Sequence, residues 1–476
     1  MSAHDSSQVT LHLPISPPYS IPFFFDSSPI SFFCSIIFNW TLPSCSRYII
    51  LNRPKALNAL NDNMLSTIGT KLREWEVSEL CNNIIIKSSN PKFYCSGGDV
   101  VSAAKKIIEN PTDSNIAKYF TNEYSVNHIL ATVKKPTVAI ISGVTMGGGV
   151  GISVHAPFRV ATENTLFAMP ETLIGFFPDV GASFYLPRLD SELGTFLGLT
   201  GQRLQGRDVF FAGIASHYIP QERIPLLEAR LNELGSSSLE AVNAALEESS
   251  GEPDPEYSFS LAPYMNSINN CFKYDSVEEI YDALRNEKSN PEWAQKTIQT
   301  LDQMSPSSLK ISLELVRRGR SLSLRDCLEM ESQLASKVIF APDFIEGISE
   351  LLLKKTKQPK WNPSSLSEIS RSDIISKFFS NPTPEAQIQF ASPSDYSQYP
   401  FKHFSLPSYE DVRSVVVGED PSVGDVALSA QEIIDMFVNR YNDKIGVREK
   451  VTSILKSNTS ANADYTDFNT VTWISK

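Results

Sequence analysis

Two spacings of apolar residues divide the first half of the chain into short strands and helices. Apolar runs at residues 48–51, 84–86 and 137–142 predict buried strands, and shorter runs at 159–161 and 166–168 predict two more. Apolar residues three and four positions apart predict helices over 61–76 and 115–132, the first capped by Asn61. Strands that alternate with helices favour an α/β fold.

Beyond residue 206 the pattern becomes helical. The helical spacing recurs over residues 226–234, 277–286, 292–303, 309–318 and 324–340. Ser, Pro and Asp then punctuate residues 380–422, and two more helices are predicted at 429–441 and 447–455. We therefore expect an α/β core over residues 47–206, a helical part of the same unit over 207–365, and an appended C-terminal extension over 366–476.

Residues 1–46 differ from the rest of the chain. They are rich in Ser, Pro and Phe and contain no Lys or Arg, so they match neither a matrix-targeting peptide nor a secretory signal. The apolar stretch 21–42 approaches the length of a membrane span, but Pro22, Asp26, Pro29 and Asn39 interrupt it. This composition predicts a poorly ordered segment, and no membrane partner is expected.

Composition narrows the function classes further. Hydrophobic residues make up 41% of the 476 and charged residues 20%, as in soluble globular proteins. A net charge of −12 disfavours direct nucleic-acid binding. The six cysteines and six histidines show no disulfide or metal-ligand spacing, and we find no phosphate-binding or dinucleotide-binding glycine motif. No cofactor and no metal are therefore expected, and the cysteines are predicted to be free thiols.

Glycines and carboxylates in the middle of the chain suggest acyl chemistry. The triplet Gly147–Gly149 lies between an apolar strand and a predicted helix, where exposed N–H groups can stabilise an oxyanion. Glu171 and Asp179 follow, each directly after a proline, and both are expected to follow strand-like segments. Simpler interpretations are tight turns for the glycines, a solvated turn carboxylate for Glu171, and a helix cap for Asp179.

Several motifs in order resemble those of the crotonase (enoyl-CoA hydratase/isomerase) superfamily, over roughly residues 47–365. They are Asn52-Arg53-Pro54-Lys55-Ala56-Leu57-Asn58, Tyr94-Cys95-Ser96-Gly97-Gly98-Asp99, the glycine run 143–151, Phe158-Arg159-Val160-Ala161-Thr162, Met169-Pro170-Glu171 and Phe176-Phe177-Pro178-Asp179-Val180-Gly181. The last two motifs are most similar to the 3-hydroxyisobutyryl-CoA hydrolase branch. This resemblance implies ββα units wound into a spiral, followed by helices.

The resemblance also implies roles for individual residues. Gly98 and Gly148 would supply the oxyanion-hole amides, and Glu171 would act as nucleophile or as general base for water. Asp179 would meet the 3-hydroxyl of the substrate or assist proton transfer, and Glu123 would face the same hydroxyl. Lys55 and Ala56 would belong to the turn that holds CoA, with Lys55 near a phosphate. Ser96 and Gly98 would lie on the loop that meets the adenine and pantetheine parts of CoA.

Hydrolysis of 3-hydroxyisobutyryl-CoA in mitochondrial valine catabolism is the activity that the resemblance implies. The partner would be an acyl-CoA substrate, with CoA as leaving group, and a homo-oligomer is left open. One alternative is an enoyl-CoA hydratase or isomerase, which Gly151 disfavours because hydratases carry a second glutamate there. The other is a structural subunit of the mitochondrial ribosome, since relatives have been recruited to that role in fungi and the aromatic extension could be an interaction arm.

Overall fold

The computed structural model describes residues 45–110, 115–251, 257–424, 427–460 and 470–474. Of the segment 1–46 that is predicted to be poorly ordered, residues 1–44 lie outside these described ranges.

Nine strands in the described residues form two sheets. Their bounds are β1 Ser46–Leu51, β2 Asn83–Ser88, β3 Phe93–Cys95, β4 Thr137–Ile140, β5 Val144–Met146, β6 Phe158–Ala161, β7 Leu166–Ala168, β8 Leu204–Gln205 and β9 His217–Tyr218. The first sheet has the order β1-β2-β4-β6-β9, with every pairing parallel. The second has the order β3-β5-β7-β8, in which only β7 and β8 are antiparallel.

Helices surround these sheets and continue beyond them. Those of the first half are α1 Asp62–Glu76, α2 Val100–Glu109, α3 Asn115–Thr132, α4 Gly148–Gly151, α5 Ala182–Tyr185, α6 Leu193–Thr200, α7 Arg207–Phe211, α8 Ile224–Asn232 and α9 Leu239–Ser249. The later ones are α10 Met265–Phe272, α11 Val277–Arg285, α12 Pro291–Leu301, α13 Pro306–Gly319, α14 Leu324–Val338, α15 Pro342–Ile348, α16 Arg371–Ile374, α17 Tyr409–Val416, α18 Ala430–Arg440 and α19 Val447–Asn458.

From β2 to β7, consecutive strands alternate between the two sheets. β2, β4 and β6 enter the first sheet, while β3, β5 and β7 enter the second, and helices follow each of these three strand pairs. Each ββα unit therefore adds one strand to each sheet, which is the expected spiral. Ile84, Ile85 and Ile86 are completely buried, as in parallel strands that are covered on both faces.

Local sequence signals place most elements, with informative exceptions. Helix α1 begins where the Asn61 side chain accepts a hydrogen bond from Met64 N at 3.0 Å, as the capping pattern predicts. The strand predicted over 137–142 is β4, which ends at Ile140, and β5 at Val144–Met146 was not predicted. Helix α6 had no amphipathic signal because all eight of its residues are buried.

The C-terminal residues pack onto the α/β core through buried polar contacts. Lys450 Nζ lies 2.5 Å from an Asp190 carboxylate oxygen, with side chains that are 9% and 10% exposed. The Tyr399 hydroxyl accepts a 2.5 Å hydrogen bond from Arg159. Ile433 and Phe437 of α18 are also completely buried. The predicted extension therefore shares its interior with the core, while its boundary near residue 365 stays a prediction.

The described residues contain no candidate membrane-spanning helix, no metal-ligand cluster and no disulfide. No helix there combines the length and apolar content that crossing a membrane requires. No group of three or more His, Cys, Asp or Glu side chains in those ranges is arranged to hold a metal ion. The described cysteines are free thiols, as expected, namely Cys45, Cys81, Cys95, Cys271 and Cys327.

Candidate active site

Two glycine amides lie side by side at the ends of neighbouring strands. Gly98 follows β3, and Gly148 begins α4 directly after β5, which pairs with β3. A Cβ built on Gly148 would lie 3.0 Å from Gly98 N, so the two main chains approach closely there. Neither N–H donates a hydrogen bond to another described residue, as is usual for the first turn of a helix. Both N–H groups can therefore donate hydrogen bonds to one oxygen atom of a ligand.

Gly147 makes this approach possible. Its φ of 47° and ψ of −122° belong to a conformation that a side chain would oppose. A Cβ at Gly147 would also lie 2.9 Å from Glu171 Oε1. A side chain at position 147 would therefore enter the space next to the Glu171 carboxyl group.

Glu171 is a buried carboxyl rather than a solvated one. It follows β7 through Pro170 and begins a short 3-10 helix, Glu171–Ile174, where it is 6% exposed. Its Oε2 atom is buried and has no hydrogen-bond partner among the described residues. Burial, and secondarily the charge of Asp179, raises the pKa of Glu171 well above its usual value.

Asp179 lies in a turn and faces the same interior. The Tyr124 hydroxyl donates a 2.8 Å hydrogen bond to its Oδ2, and the residue is 5% exposed. Gly181 occupies the N-cap position of α5 without a side-chain cap, so the helix-cap interpretation of Asp179 is wrong. Asp179 also follows the Glu171–Ile174 turn and a loop, and not a strand as expected.

Glu123 completes a group of three acids. It lies on α3, is 2% exposed, and its Oε1 has no partner among the described residues. A Cβ on Gly148 would collide with Oε1, and one on Gly98 would lie 3.6 Å from Oε2. Glu123 therefore borders both glycines, and the usual expectation that a lone helical glutamate is solvated does not apply.

Burial and mutual repulsion both disfavour ionisation of these acids. Burial raises the pKa of Asp179 to about 7, although the Tyr124 hydrogen bond opposes the rise. Burial, followed by the Asp179 charge, raises the pKa of Glu123 well above its usual value, as for Glu171. A charge on Asp179 therefore makes ionisation of the other two acids harder.

The residues predicted to contact CoA lie on two adjoining turns. Lys55 is exposed within the 3-10 turn Pro54–Ala56, and Ala56 is partly buried. Ser96 N donates to Leu57 O at 3.0 Å, and Ser96 Oγ lies 3.5 Å from Ala56 O. The structure therefore brings Ala56 and Ser96 together, next to the Gly98 loop.

Several supporting residues were not predicted from the sequence. Arg53 forms a 2.8 Å ion pair with Asp99, and Asn58 Nδ2 donates to Tyr94 O at 2.9 Å, which ties the CoA turn to the Gly98 loop. Tyr124 had a weak signal, since it neighbours Glu123 on a helix. Its partner is 55 residues away, so only the fold connects them.

A separate cavity of about 530 Å³ lies between the core and the C-terminal residues. Its lining includes Arg159, Tyr185, Asp190, Tyr409 and Lys450, and none of the predicted site residues. Burial, followed by the charge of Glu171, raises the pKa of the Tyr185 hydroxyl, so this residue of the cavity lies within electrostatic range of Glu171.

The chain is similar to several known proteins. The family model described as enoyl-CoA hydratase/isomerase matches residues 46–379. The mitochondrial 3-hydroxyisobutyryl-CoA hydrolase of Homo sapiens is 44% identical over 70% of this chain and 86% of its own length. Small ribosomal subunit protein mS47 of Neurospora crassa is 41% identical over 86% of this chain and 83% of its own. A carnitinyl-CoA dehydratase structure from Mycobacterium thermoresistibile aligns with a TM-score of 0.66 and 31% identity, covering 74% of this chain and 98% of that one.

Proposed function

Because the chain belongs to the enoyl-CoA hydratase/isomerase family, we propose that it hydrolyses 3-hydroxyisobutyryl-CoA to 3-hydroxyisobutyrate and CoA. The hydrolases of Homo sapiens and Mus musculus are each 44% identical to it over 70% of its length. The observation that carries the proposal is the buried Glu171 carboxyl beside two adjacent unbonded amides, those of Gly98 and Gly148.

The thioester carbonyl oxygen would bind between the Gly98 and Gly148 amides. Attack at the carbonyl carbon moves negative charge onto this oxygen, and preorganised N–H donors stabilise that charge at each addition step. Glu171 either forms the new C–O bond itself or removes a proton from the attacking water. If Glu171 is the nucleophile, the C–S bond breaks as the acyl group passes to Glu171, and water then attacks the acyl carbon and cleaves the resulting anhydride, which frees the Glu171 carboxyl. If Glu171 is the base, water adds directly and the C–S bond then breaks. In both routes water supplies the new oxygen of the acid and the proton with which CoA leaves as the thiol.

Asp179 and Glu123 would recognise the hydroxyl of the acyl group. Glu123 borders the proposed oxyanion amides, and its free Oε1 can accept a hydrogen bond. After burial, the charge of Asp179 is the next cause that raises the pKa of Glu123 and of Glu171, so Asp179 belongs to the same group of acids. Their raised pKa values favour a shared proton, so one carboxyl can donate to the hydroxyl while another accepts from it. We further propose that Lys55, Ala56 and Ser96 hold the CoA part.

The surroundings of Gly151 disfavour double-bond hydration. A Cβ at this position would lie 2.6 Å from Val180 Cβ and 2.9 Å from Asn127 Nδ2. The turn that carries Asp179 therefore fills the space that a second glutamate would need. Water addition to an alkene requires an acid and a base on the same water, and this position cannot supply one of them.

Substitution of Glu171 by Gln tests the mechanism. Glu171→Gln keeps the shape of the side chain but removes the nucleophile or base, so kcat on 3-hydroxyisobutyryl-CoA should fall roughly 10²–10⁴-fold. The Kd for CoA, measured by calorimetry, should stay unchanged. Hydrolysis by Glu171→Gln at the native rate would exclude Glu171 as nucleophile or base, whereas a wild-type protein that hydrolyses no substrate would favour the non-catalytic alternative.

A substrate panel tests the role of Asp179. Asp179→Asn should lower kcat/KM for 3-hydroxyisobutyryl-CoA more than for isobutyryl-CoA, because only the first substrate carries the recognised hydroxyl. Equal losses on both substrates would assign Asp179 to the thioester step instead.

A second function, association with the small ribosomal subunit, is favoured by the extent of one match. The match to protein mS47 covers 427 residues, whereas that to the human hydrolase covers 339. The additional length requires residues outside the shared hydrolase region. Mitochondrial residence would fit both functions, and the hydrolase relatives carry it in their names. Co-sedimentation of the native protein with small ribosomal subunits, equally for wild type and Glu171→Gln, is the expected result; recovery only in the free fraction would contradict it.

A further inference from the structure

The turn that carries Asp179 has a backbone conformation that is energetically costly and requires contacts with the surrounding structure. Val180, a β-branched residue, has a φ of 57°, and Gly181 has a φ of 84°. Positive φ at a β-branched residue is costly, and such a conformation is retained only where surrounding contacts impose it. Val180 is completely buried, so those contacts are internal.

Glu331, from helix α14, supplies the contacts on one side of the turn. Its Oε2 accepts a hydrogen bond from Gly181 N at 2.6 Å. Its Oε1 accepts from Ser183 N at 2.9 Å and from Ser183 Oγ at 2.5 Å. The residue is completely buried. One carboxyl group from 148 or more residues away thus binds three donors of this turn.

His155 supports the opposite side. Its Nε2 lies 2.8 Å from Val180 O, and a Cβ on Gly181 would collide with the ring. Burial lowers the pKa of His155 to about 4, so the neutral ring donates from Nε2 to the carbonyl. Val180 is therefore fixed between a donor on its carbonyl and an acceptor on the next amide.

We propose that Glu331 is a positioning residue that sets the direction of the Asp179 carboxyl through the backbone of residues 180–183. This inference rests on the proposed function, since it explains how Asp179 is aimed at the substrate hydroxyl. Tyr124 holds only the end of the Asp179 side chain. The main-chain direction from which that side chain departs depends on Glu331 and His155.

Residue 331 must be a carboxyl group because three donors, from Gly181 and Ser183, converge on its two oxygens. Glu331→Gln preserves size, but an amide has only one acceptor oxygen, so its NH₂ group would face either the Gly181 or the Ser183 N–H. At least one hydrogen bond is lost, and the buried donor it leaves is costly. Ser183→Ala removes only the hydroxyl donor and keeps both amide bonds, so it should cause the same change in weaker form.

Two measurements on the full chain separate positioning from general stability. Hydrogen exchange of residues 179–185 in the substrate-free protein should be faster in Glu331→Gln than in wild type. The ratio of kcat/KM for 3-hydroxyisobutyryl-CoA to that for isobutyryl-CoA should fall about tenfold, because misplacing a positioned group costs one to two orders of magnitude. Glu314→Gln is the matched control, a buried glutamate that pairs with Arg318 and Arg371.

Each outcome decides the matter. An unchanged exchange rate or an unchanged ratio in Glu331→Gln, or equal changes of both in Glu314→Gln, would overturn the inference. If Glu331→Gln fails to fold, Ser183→Ala decides, with unchanged exchange and ratio again overturning it. If the wild type hydrolyses neither substrate, the proposed function fails, while the exchange comparison still establishes or refutes the hold of Glu331 on the turn.

Discussion

At the residue scale, the acids of the site retain protons that the unfolded chain would release. Burial raises the pKa of Asp179 from 3.8 to about 7, and the pKa values of Glu123 and Glu171 rise for the same first reason. A carboxyl whose pKa is raised in the folded state stabilises the fold below its unfolded pKa, and this contribution is lost as pH rises through the folded value. The site therefore lowers the stability of the protein near neutral pH.

Asp179→Asn should reveal this cost. The variant and wild type should be similar in stability near pH 4, and the variant should gain relative stability as pH rises to about 7. Denaturant unfolding at each pH measures the difference. Asp420→Asn is the opposite control, because the Arg440 hydrogen bond lowers the pKa of Asp420 to about 2, so its difference should change only below about pH 4. A flat difference for Asp179→Asn would contradict the assignment.

At the element scale, helix α4 packs so closely on the Asp179 turn that a methyl group has no room. A Cβ at Gly151 would lie 2.6 Å from Val180 Cβ. Both neighbours are fixed, since the turn is bound by Glu331 and α4 by its own hydrogen bonds. The short helix thus aligns the proposed oxyanion amide with the proposed hydroxyl-binding acid.

Gly151→Ala should therefore destabilise the protein by about 1–3 kcal/mol, the usual cost of overpacking. It should also lower the preference for 3-hydroxyacyl over plain acyl substrates, because relief of the contact moves the turn. Thermal unfolding and the two-substrate ratio are the measurements. Gly235→Ala serves as control, since a Cβ there would meet no atom within 4 Å. If Gly151→Ala and Gly235→Ala had the same unfolding temperature and the same substrate ratio, the added methyl group would be accommodated without moving the turn, and the prediction would be wrong.

At the scale of the whole molecule, the C-terminal residues complete the core. Lys450 Nζ binds both Asp190 and Phe211 O, the latter at 2.8 Å, and Asp190 also accepts from Tyr409 N at 2.8 Å. Removing the chain beyond residue 363 would leave Asp190 and Arg159 facing solvent or empty space. We expect such a truncated protein to be less stable, although no proposed catalytic residue is removed.

Lys450→Met tests this attachment with a smaller change. Removing one partner of a buried ion pair leaves the other uncompensated, at a cost of about 3–5 kcal/mol. The unfolding midpoint should fall, whereas kcat of the folded enzyme should not change. The double variant Asp190→Leu/Lys450→Met should recover part of the loss. Full activity and an unchanged midpoint in Lys450→Met would mean that the contact contributes nothing.

The sequence by itself determined what depends on neighbouring residues. Helix α1 follows from its Asn61 cap and apolar spacing, and the glycine triplet forms the turn that its composition allows. Motif order was sufficient for the family. The roles of Gly98, Gly148, Glu171 and Asp179 also came from motifs and remain proposals.

Only the tertiary structure decided how the acids are held and what excludes other groups. The Tyr124–Asp179 hydrogen bond spans 55 residues, the Glu331 contacts about 150, and the Lys450–Asp190 pair 260. A carboxyl has the same local signature whether it is solvated or buried, because burial depends on segments that arrive from elsewhere in the chain. Likewise, the sequence shows only that residue 151 is a glycine, whereas the structure shows that the Asp179 turn fills the space that a side chain would need.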